Sequence, residues 1–521
     1  MPGRARAVLR AGLGSALALA ALAAPRMAAG EDRAPPDGTP ATAQAGDVAA
    51  IASPSARGEL APLQAPTFPD RVPRSPRLAR ALLEEAAIMA TVYAVYVAQP
   101  LPAPGAKQFS LLDKLRLEPG SFALDADDIP TNYVGHPVAG MYYYQIARGN
   151  RLDVPTSAVF AAASGLAWEL LEFKEPASVN DAVSTAVGGV ALGEAFTQLG
   201  ACLERRGGTV GRFLALVANQ PKWVNDRIDG ASSEPGPRRG WDRLAISIAG
   251  GEVRGSGGTS SQLRFGAGSR IVRVTEYGQA GRSWQALADG EVSALGLELA
   301  WGHQGISEVE LLAEASLAGA YARDVDEDGR GHDLLATVSA GWDYGRRSES
   351  PAGGEPYDYL VLLRLPSVAL RHRTLLDEAR LEVGIEAALS FGAVQPFALL
   401  GRPPDLPGVP GVVAQQGYYH GLGFMAAPRL AVEAGAVTAA ATARLDRLWG
   451  LVGGDVTGQS DGKARLEDQR ADLDVTAAWR SPWRGLELGV AWQRHARWGR
   501  ADDLVAQQAE SRLLVRFESV L

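Results

Sequence analysis

From about Trp241 to Leu521 apolar residues recur at every second position, the period of a β-strand with two unlike faces. Leu381, Val383, Ile385, Ala387, Leu389 and Phe391 alternate with Arg380, Glu382, Gly384, Glu386, Ala388 and Ser390. Leu295, Leu297, Leu299 and Trp301 alternate with Gly296, Glu298 and Ala300, and Leu486, Leu488, Val490 and Trp492 oppose Glu487, Gly489 and Gln493. The last segment sets Leu513, Val515, Phe517 and Leu521 against Arg512, Arg516 and Glu518.

Such alternation suits a soluble sandwich, a lipocalin-like closed sheet or a membrane barrel. In a membrane barrel the apolar face meets lipid, the polar face lines the lumen, and closure satisfies every backbone group. Three features favour it. The segments run well past the usual strand of about five or six residues. Aromatic residues cluster toward segment ends, at Trp301, Tyr321, Trp342, Tyr344, Trp449, Trp479, Trp483, Trp492 and Trp498, where interfacial girdles sit. The chain also stops on an alternating segment, although on Leu521 and not the more usual Phe. The segments add up to about twelve strands, with ten to fourteen allowed. A bore of that size is filled by lumen charges such as Arg380, Glu382 and Glu386 sooner than left open as a general pore.

The other half is organised differently. Arg4, Arg6 and Arg10 precede the apolar stretch Ala11–Ala24 and small residues, the pattern of a secretory signal peptide and too short for a membrane span. Residues 31–74 are rich in Pro, Ala, Gly and Asp and carry no apolar period, which predicts a flexible linker. Residues 75–230 read as a helical domain of about four helices. The first opens at Ser75-Pro76 and stops at Gln99-Pro100; the second runs from His136-Pro137 to Arg148-Gly149. A third covers about Thr156 to Phe173, and a fourth runs from Ser178 to about Arg205. Glu169, Glu172, Asp181 and Glu194 on the last two each oppose burial in hydrocarbon by about 2.5–3.5 kcal/mol, so a buried bundle is expected. Gly189 and Gly193 would let two helices approach closely. The whole reads as an α+β chain: signal peptide over 1–30, linker over 31–74, helical bundle over 75–230, and a transmembrane antiparallel β-barrel over 238–521.

Composition removes several function classes. The net charge is −8, so no basic excess points to nucleic acid. A single cysteine, Cys202, allows no internal disulfide and no paired zinc ligands. Neither a Gly-x-Ser-x-Gly elbow nor a His-Glu-x-x-His pair occurs.

Polar residues concentrate in the helical domain: Asp125, Asp128, Asn132, His136, Arg148, Glu169, Glu172, Asn180, Asp181 and Glu194. The run Thr131-Asn132, His136-Pro137, Gly140, Tyr143, Ala147-Arg148, then Trp168-Glu169, Glu172, then Pro176, Ser178, Asn180-Asp181, Thr185, Gly188-Gly189 and Gly193-Glu194 resembles domain-of-unknown-function family 3943. The resemblance covers about residues 122–199. It implies residence in the envelope of bacteria with an outer membrane and a helical domain, and it brings no activity.

His136, Glu169 and Asp181 are the candidate catalytic residues: His136 with the carboxylates Asp125, Asp128, Glu169 and Asp181 suits either a general acid–base pair or a divalent-metal site, because His titrates near neutrality and carboxylates orient it. The same groups suit a structural network in which His136 and Asp181 cap helices and Glu194 pairs with Arg148 or Arg205. A metal is not expected, the weak candidates being Asp324, Asp326 and Asp328, which imitate half of a calcium loop with Leu335 where the bidentate Glu belongs. In the barrel, His420 beside Tyr418 and Tyr419 is the one histidine to weigh for lipid hydrolysis. No cofactor is implied. The expected partners are outer-membrane lipid and the barrel-assembly machinery, with the oligomeric state open. The leading expectation is a non-enzymatic outer-membrane protein whose helical domain lies in the periplasm or plugs the barrel, organising the envelope or binding or moving a lipid or small solute. The rival is an envelope-lipid-directed enzyme using the His/carboxylate residues, and a soluble periplasmic scaffold module is the third class.

Overall fold

The computed structural model describes residues 75–98, 108–125, 127–230, 241–255, 258–274, 276–348, 357–376, 379–400, 413, 416–451, 465–482 and 485–520. The signal peptide, the linker and Trp483 lie outside the described residues.

Among the described residues seven α-helices come first, more than the four that the apolar period suggested. They are α1 (Leu78–Ala98), α2 (Leu111–Leu115), α3 (His136–Gly149), α4 (Val154–Leu171), α5 (Val179–Arg206), α6 (Gly208–Ala218) and α7 (Gln220–Ile228). One π-helical turn, Thr131–Gly135, runs into α3. Two-residue strands β1 (Phe122–Ala123) and β2 (Ala177–Ser178) pair in parallel. Local chemistry sets the main boundaries: Asp153 accepts the Thr156 amide at the start of α4, and Ser178 accepts the Asp181 amide at the start of α5. Each satisfies a backbone donor that the helix itself leaves free. α1 begins at Leu78, two residues beyond the Ser75-Pro76 signal.

The strands of the second half are β3 (Trp241–Gly255), β4 (Gly258–Val272), β5 (Gly281–Leu287), β6 (Val292–Gly302), β7 (Gly305–Val325), β8 (Gly331–Ser348) and β9 (Tyr357–Leu375). They continue with β10 (Ala379–Val394), β11 (Tyr419–Ala434), β12 (Val437–Gly450), β13 (Leu466–Arg480), β14 (Leu486–Ala501) and β15 (Leu504–Val520). Pairing runs antiparallel around the set, β15 closes on β3, and β7 pairs β8. β5 and β6 line one edge of β7 end to end, at Gly319–Val325 and Gly305–Ala315 respectively, so they act as one interrupted strand. The result is a closed antiparallel barrel of twelve strands.

Cross-strand partners share a face, so the register sorts inward from outward positions. Trp492 lies opposite Leu513, Phe517 opposite Ile248, Ile248 opposite Phe265, and Phe265 opposite Leu299; the same face continues through Leu295, Ala313, Trp342, Leu363, Phe391, Leu422 and Trp449. Most of this outward set is apolar, and Leu389, Leu430, Val475, Val490, Leu513 and Phe517 are exposed. The inward set is charged. Glu308 meets Arg512 at 2.5 Å, Arg264 at 2.7 Å and Arg347 at 2.5 Å. Asp343 meets Arg364 at 2.9 Å and Arg444 at 2.8 Å, joining β8 to β9 and, across the bore, to β12. Arg380, Glu382 and Glu386 all face inward, paired with Glu433, Arg429 and Arg364. The 3₁₀ turn Phe397–Leu399, after β10, packs on β14 and β15, with Phe397 under the Arg497 guanidinium and against Gly499.

The helices do not enter this bore. Their contacts fall on the outward side of the wall: the Trp342 indole donates to the Tyr133 carbonyl at 2.8 Å, and Tyr133 lies against Phe391 and His420. Ala313, Ala315 and Ala340 are fully covered there, leaving room for α5 to lie flat against β7 and β8. Farther along α5, Cys202, Leu199 and Leu203 pack on Leu244 and Ile271, and Arg273 donates to Gln198 at 2.7 Å. The bundle is thus packed on apolar positions of the wall; the sequence left open whether it docks on the barrel from the periplasm or plugs it. Alternation identified the outward face correctly, but it could not reveal that helices cover part of it. Two of the expected girdle aromatics change role accordingly: Trp342 is buried under the bundle, and Tyr321 points inward, packed with Val272, Leu287 and Leu335.

Candidate functional site

Helices α3 and α5 run parallel, because Pro137, Gly140 and Tyr144 meet Gly188, Gly189 and Gly193 in order. The approach is backbone on backbone. A Cβ at Gly140 would lie 2.0 Å from the Thr185 carbonyl oxygen, and one at Gly189 would lie 2.5 Å from the Gly140 carbonyl carbon. Parallel packing brings both N-terminal ends, and so His136 and Asp181, to the same level. The C-terminal part of α4 arrives there too, where the Ser178 amide donates to Glu169 Oε2 at 2.7 Å. The β1–β2 pair joins Ala123 to Ser178 and so holds Asp125 over the start of α5.

The resulting cluster is tight. His136 Nε2 lies 3.4 Å from Asp181 Oδ2, and His136 Nδ1 lies 3.3 Å from Thr185 Oγ1. One ligand-type atom each from His136, Glu169 and Asp181 falls within 4.8 Å of the others. The Asn180 amide donates to Asp125 Oδ1 at 3.0 Å and to Asp181 Oδ1 at 3.1 Å, while the Asp125 amide donates to Asn180 Oδ1 at 2.9 Å. Asn132 also donates to Asp125. Lys114 sends its ammonium to the backbone carbonyls of Glu169 and Glu172. Asn132, Glu169, Asn180 and Asp181 are buried, and His136 keeps 20 % of its side chain exposed, so the ring is the edge through which the cluster meets its surroundings.

Electrostatics around the rim follow from crowding. Burial pushes the Asp125 carboxyl up, but hydrogen bonds with Asp181, Asn180, Ser178 and Asn132 outweigh it and hold the group below the ordinary range. Glu172 is pushed up to about 8, first by burial and then by the neighbouring charges of Glu169 and Glu175. Burial and the aspartates Asp127 and Asp125 raise Glu175 as well. Burial lowers Lys114, against the pull of those same glutamates. A site with this balance holds protons on carboxyls near neutral pH and has a histidine beside them, the equipment of general acid–base chemistry.

Of the sequence candidates, Asp125, Asn132, His136, Glu169, Asn180 and Asp181 converge here, with Glu172 at the rim. Asp128 does not: its carboxylate accepts the Thr131 amide at 2.8 Å and begins the π-helical turn. Arg148 and Glu194 form a second buried network, with Glu194 bonded to Arg148 at 3.0 Å, to Tyr144 at 2.8 Å and to Gln198. They sit 12 and 13 residues farther along α3 and α5 than His136 and Asp181, or about 20 Å at 1.5 Å per residue. Gly290, in the break between β5 and β6, has φ +67° and leaves space for Glu194, which a Cβ would meet at 2.3 Å. His420 is buried as a seam residue, its ring nitrogens 2.7 Å from the Tyr133 hydroxyl and 3.0 Å from the Asp125 carbonyl oxygen. It holds wall to bundle and is not free for lipid hydrolysis. Asp326 closes a turn by accepting the Arg330 amide, and Asp324 lies 3.6 Å from Arg282; Asp324, Asp326 and Asp328 form no metal-type group among the described residues.

Sequence reasoning missed Lys114 and Thr185 as members of the site. Lys114 lies in a five-residue helix with no usable period. Thr185 is one helical turn after Asp181, a spacing that puts both on one face of α5 and was the available signal.

No curated protein matches the chain in sequence. Among solved structures, it is similar to a deletion mutant of the TodX monoaromatic hydrocarbon channel, at 8 % identity and TM-score 0.23 over 55 % of this chain and 91 % of that one. It is also similar to the β domain of the Bordetella autotransporter Brka, at 13 % and 0.20 over 53 % and 98 %. A third is the translocator domain of the autotransporter NalP from Neisseria meningitidis, at 14 % and 0.21 over 57 % and 94 %. Residues 121–219, which hold the whole His136 cluster except Lys114, match the family model described as Domain of unknown function (DUF3943).

Proposed function

We propose that this chain is an outer-membrane protein in which the barrel is a wall for a lipid-embedded helical bundle, and that the His136–Glu169–Asp181 cluster carries out acid–base chemistry on an envelope lipid. The convergence of those three side chains within 4.8 Å carries the reading. A histidine with one nitrogen at Thr185 and the other at Asp181 is oriented to take and return a proton, and Glu172 is a proton reserve at the rim. The lipid setting is supported by exposed apolar faces. Leu82, Leu83, Ile88, Val92 and Val95 on α1, Val159 and Leu166 on α4, and Val210, Phe213 and Val217 on α6 are exposed, as are the outward leucines and valines of β10–β15. Three helices, α1, α4 and α5, are long and apolar enough to cross a membrane, and Trp301, Trp449, Trp479 and Trp498 are exposed toward strand ends, as interfacial anchors are. Outer-membrane lipid is then solvent and substrate source, and the barrel-assembly machinery is the expected route of insertion.

The test is mass spectrometry of envelope lipids incubated with the detergent-extracted protein. Wild type is expected to generate a lipid species that His136→Ala and Asp181→Asn do not. Identical lipid profiles for all three would remove the enzymatic reading. The transport alternative is supported by cavities of about 690 and 770 Å³ in the bore, with arginines and carboxylates in their lining, and against it stand the arginine–carboxylate bridges that cross that bore. Channel recordings in planar bilayers separate the two, since steady conductance in wild type favours transport.

A further inference from the structure

Beyond the lipid-directed chemistry proposed for the His136 cluster, the geometry points to a divalent transition-metal ion of the zinc or manganese type held by His136, Glu169 and Asp181. The inference deepens the proposed function and rests on the same cluster. Three independent features of the geometry carry it.

First, each of the three side chains has one polar atom tethered from outside the trio, and two of the remaining atoms, on His136 and Asp181, face each other at 3.4 Å. Thr185 holds His136 Nδ1, the Ser178 amide holds Glu169 Oε2, and the Asn180 amide holds Asp181 Oδ1. The remaining atoms are His136 Nε2, Glu169 Oε1 and Asp181 Oδ2. Metal sites are built this way, with outer partners fixing the tautomer and carboxylate orientation while the inner atoms ligate. Tetrahedral bonds of about 2.0–2.2 Å put ligand atoms of one ion about 3.3–3.6 Å apart; His136 Nε2 and Asp181 Oδ2, 3.4 Å apart, already stand at that separation, and a Glu169 oxygen lies within 4.8 Å of both residues' ligand atoms.

Second, the cluster gathers Asp125, Glu169 and Asp181 around one histidine, and no arginine pairs with any of the three among the described residues. The nearest ammonium, on Lys114, is directed to backbone carbonyls. Buried carboxylates without a cation call for protons or a metal, and a mixed imidazole and carboxylate set suits zinc or manganese better than calcium.

Third, Asn132 is fully buried and bonded to Asp125 through its amide, yet its carbonyl oxygen has no hydrogen-bond partner among the described residues. Water bound to a metal in the open coordination position is a donor of the kind this oxygen lacks. Three protein ligands with an open position is the arrangement of catalytic metal centres, where the ion polarises a lipid ester or phosphoryl oxygen and activates the bound water.

The test uses the full chain, extracted in detergent, stripped with chelator and dialysed against Zn²⁺ or Mn²⁺. Metal content should reach one ion per chain. His136→Ala and Asp181→Asn should each abolish it, and Thr185→Val should weaken affinity by roughly 10–100-fold, as loss of an outer-sphere partner does. Co²⁺ substitution should give visible absorption bands that change in Thr185→Val. Heat-modifiable gel migration confirms that each variant keeps its barrel. Substoichiometric metal in wild type, or equal metal in wild type and His136→Ala, overturns the inference. Lipid conversion without metal would leave the acid–base reading standing and this inference failed; stoichiometric metal without lipid conversion would do the reverse.

Discussion

The molecule buries two sets of charges, and they are built on opposite rules. In the lumen, opposite charges answer each other: Glu308 sits among three arginines, Asp343 between two, and Asp358 is 3.1 Å from Arg470 and 2.6 Å from Arg497. Five of these seven pairs connect strands that are not neighbours, and together they brace the barrel from within. In the bundle, Asp125, Glu169 and Asp181 crowd one histidine and are held by amides, hydroxyls and backbone. A balanced network stabilises a shape. An unbalanced one stores affinity for a proton or a cation, which is why function is placed in the bundle and mechanical support in the lumen.

Removing one carboxylate from each set breaks or sharpens that contrast. Glu308→Gln leaves the buried guanidinium groups of Arg264 and Arg512 and the half-buried one of Arg347 without their shared partner, and loss of one member of a buried ionic set typically destabilises by about 3–5 kcal/mol. The expected result is a clear fall in the temperature at which the folded gel form is lost. Asp181→Asn, chemically the same change, relieves crowding, so barrel and bundle stability should shift by less than about 1 kcal/mol while lipid conversion falls by about 100-fold or more. If both substitutions destabilise equally, the two sets are alike and the contrast fails.

Gly140→Ala tests the geometry that assembles the site. Its Cβ would fall 2.0 Å from the Thr185 carbonyl, and overpacking of this kind destabilises by about 1–3 kcal/mol. Metal binding and activity should drop while heat-modifiable migration persists, because the barrel does not depend on this crossing. Unchanged metal affinity would contradict the close approach of α3 and α5.

The smallest effect concerns pH. Glu172 faces Glu169, Glu175 and Lys114, and its folded value of about 8 stands above the ordinary 4.5. The folded state therefore binds the proton more tightly, and this contribution to stability is full below about 4.5 and lost as pH rises through about 8. Thermal melts of the bundle should fall over that window in wild type and flatten in Glu172→Gln. A wild-type melt that rises across the window would contradict the sign.

Much of this was legible in the chain. Period-two runs such as Arg380–Phe391 gave the strands, the outward face and the inward placement of Arg380, Glu382 and Glu386. Spaced polar residues from Asp125 to Asp181 named most of the site, because helix starts such as those at His136 and Ser178 are local facts. What stayed hidden was long-range. Periodicity cannot tell wall covered by lipid from wall covered by helix, so Trp342 read as a girdle residue although it is bonded to Tyr133. Likewise His420 could not be seen to face Tyr133 and Asp125, which lie almost 300 residues earlier in the chain. The interrupted β5–β6 strand, which makes room for Glu194 at Gly290, depends on register and not on composition.

The central claim is that the bundle shares the barrel's lipid. A nitroxide at Leu83 on α1, which is 72 % exposed, can be compared with one at Val490 on β14, which is 48 % exposed, in reconstituted vesicles. Cys202, the native cysteine, is buried and can be replaced before labelling. Both labels should be relaxed by oxygen and protected from a water-soluble paramagnetic reagent. If the label at Leu83 is relaxed by the aqueous reagent while that at Val490 is protected, the bundle lies in water and the account of a lipid-embedded site is wrong.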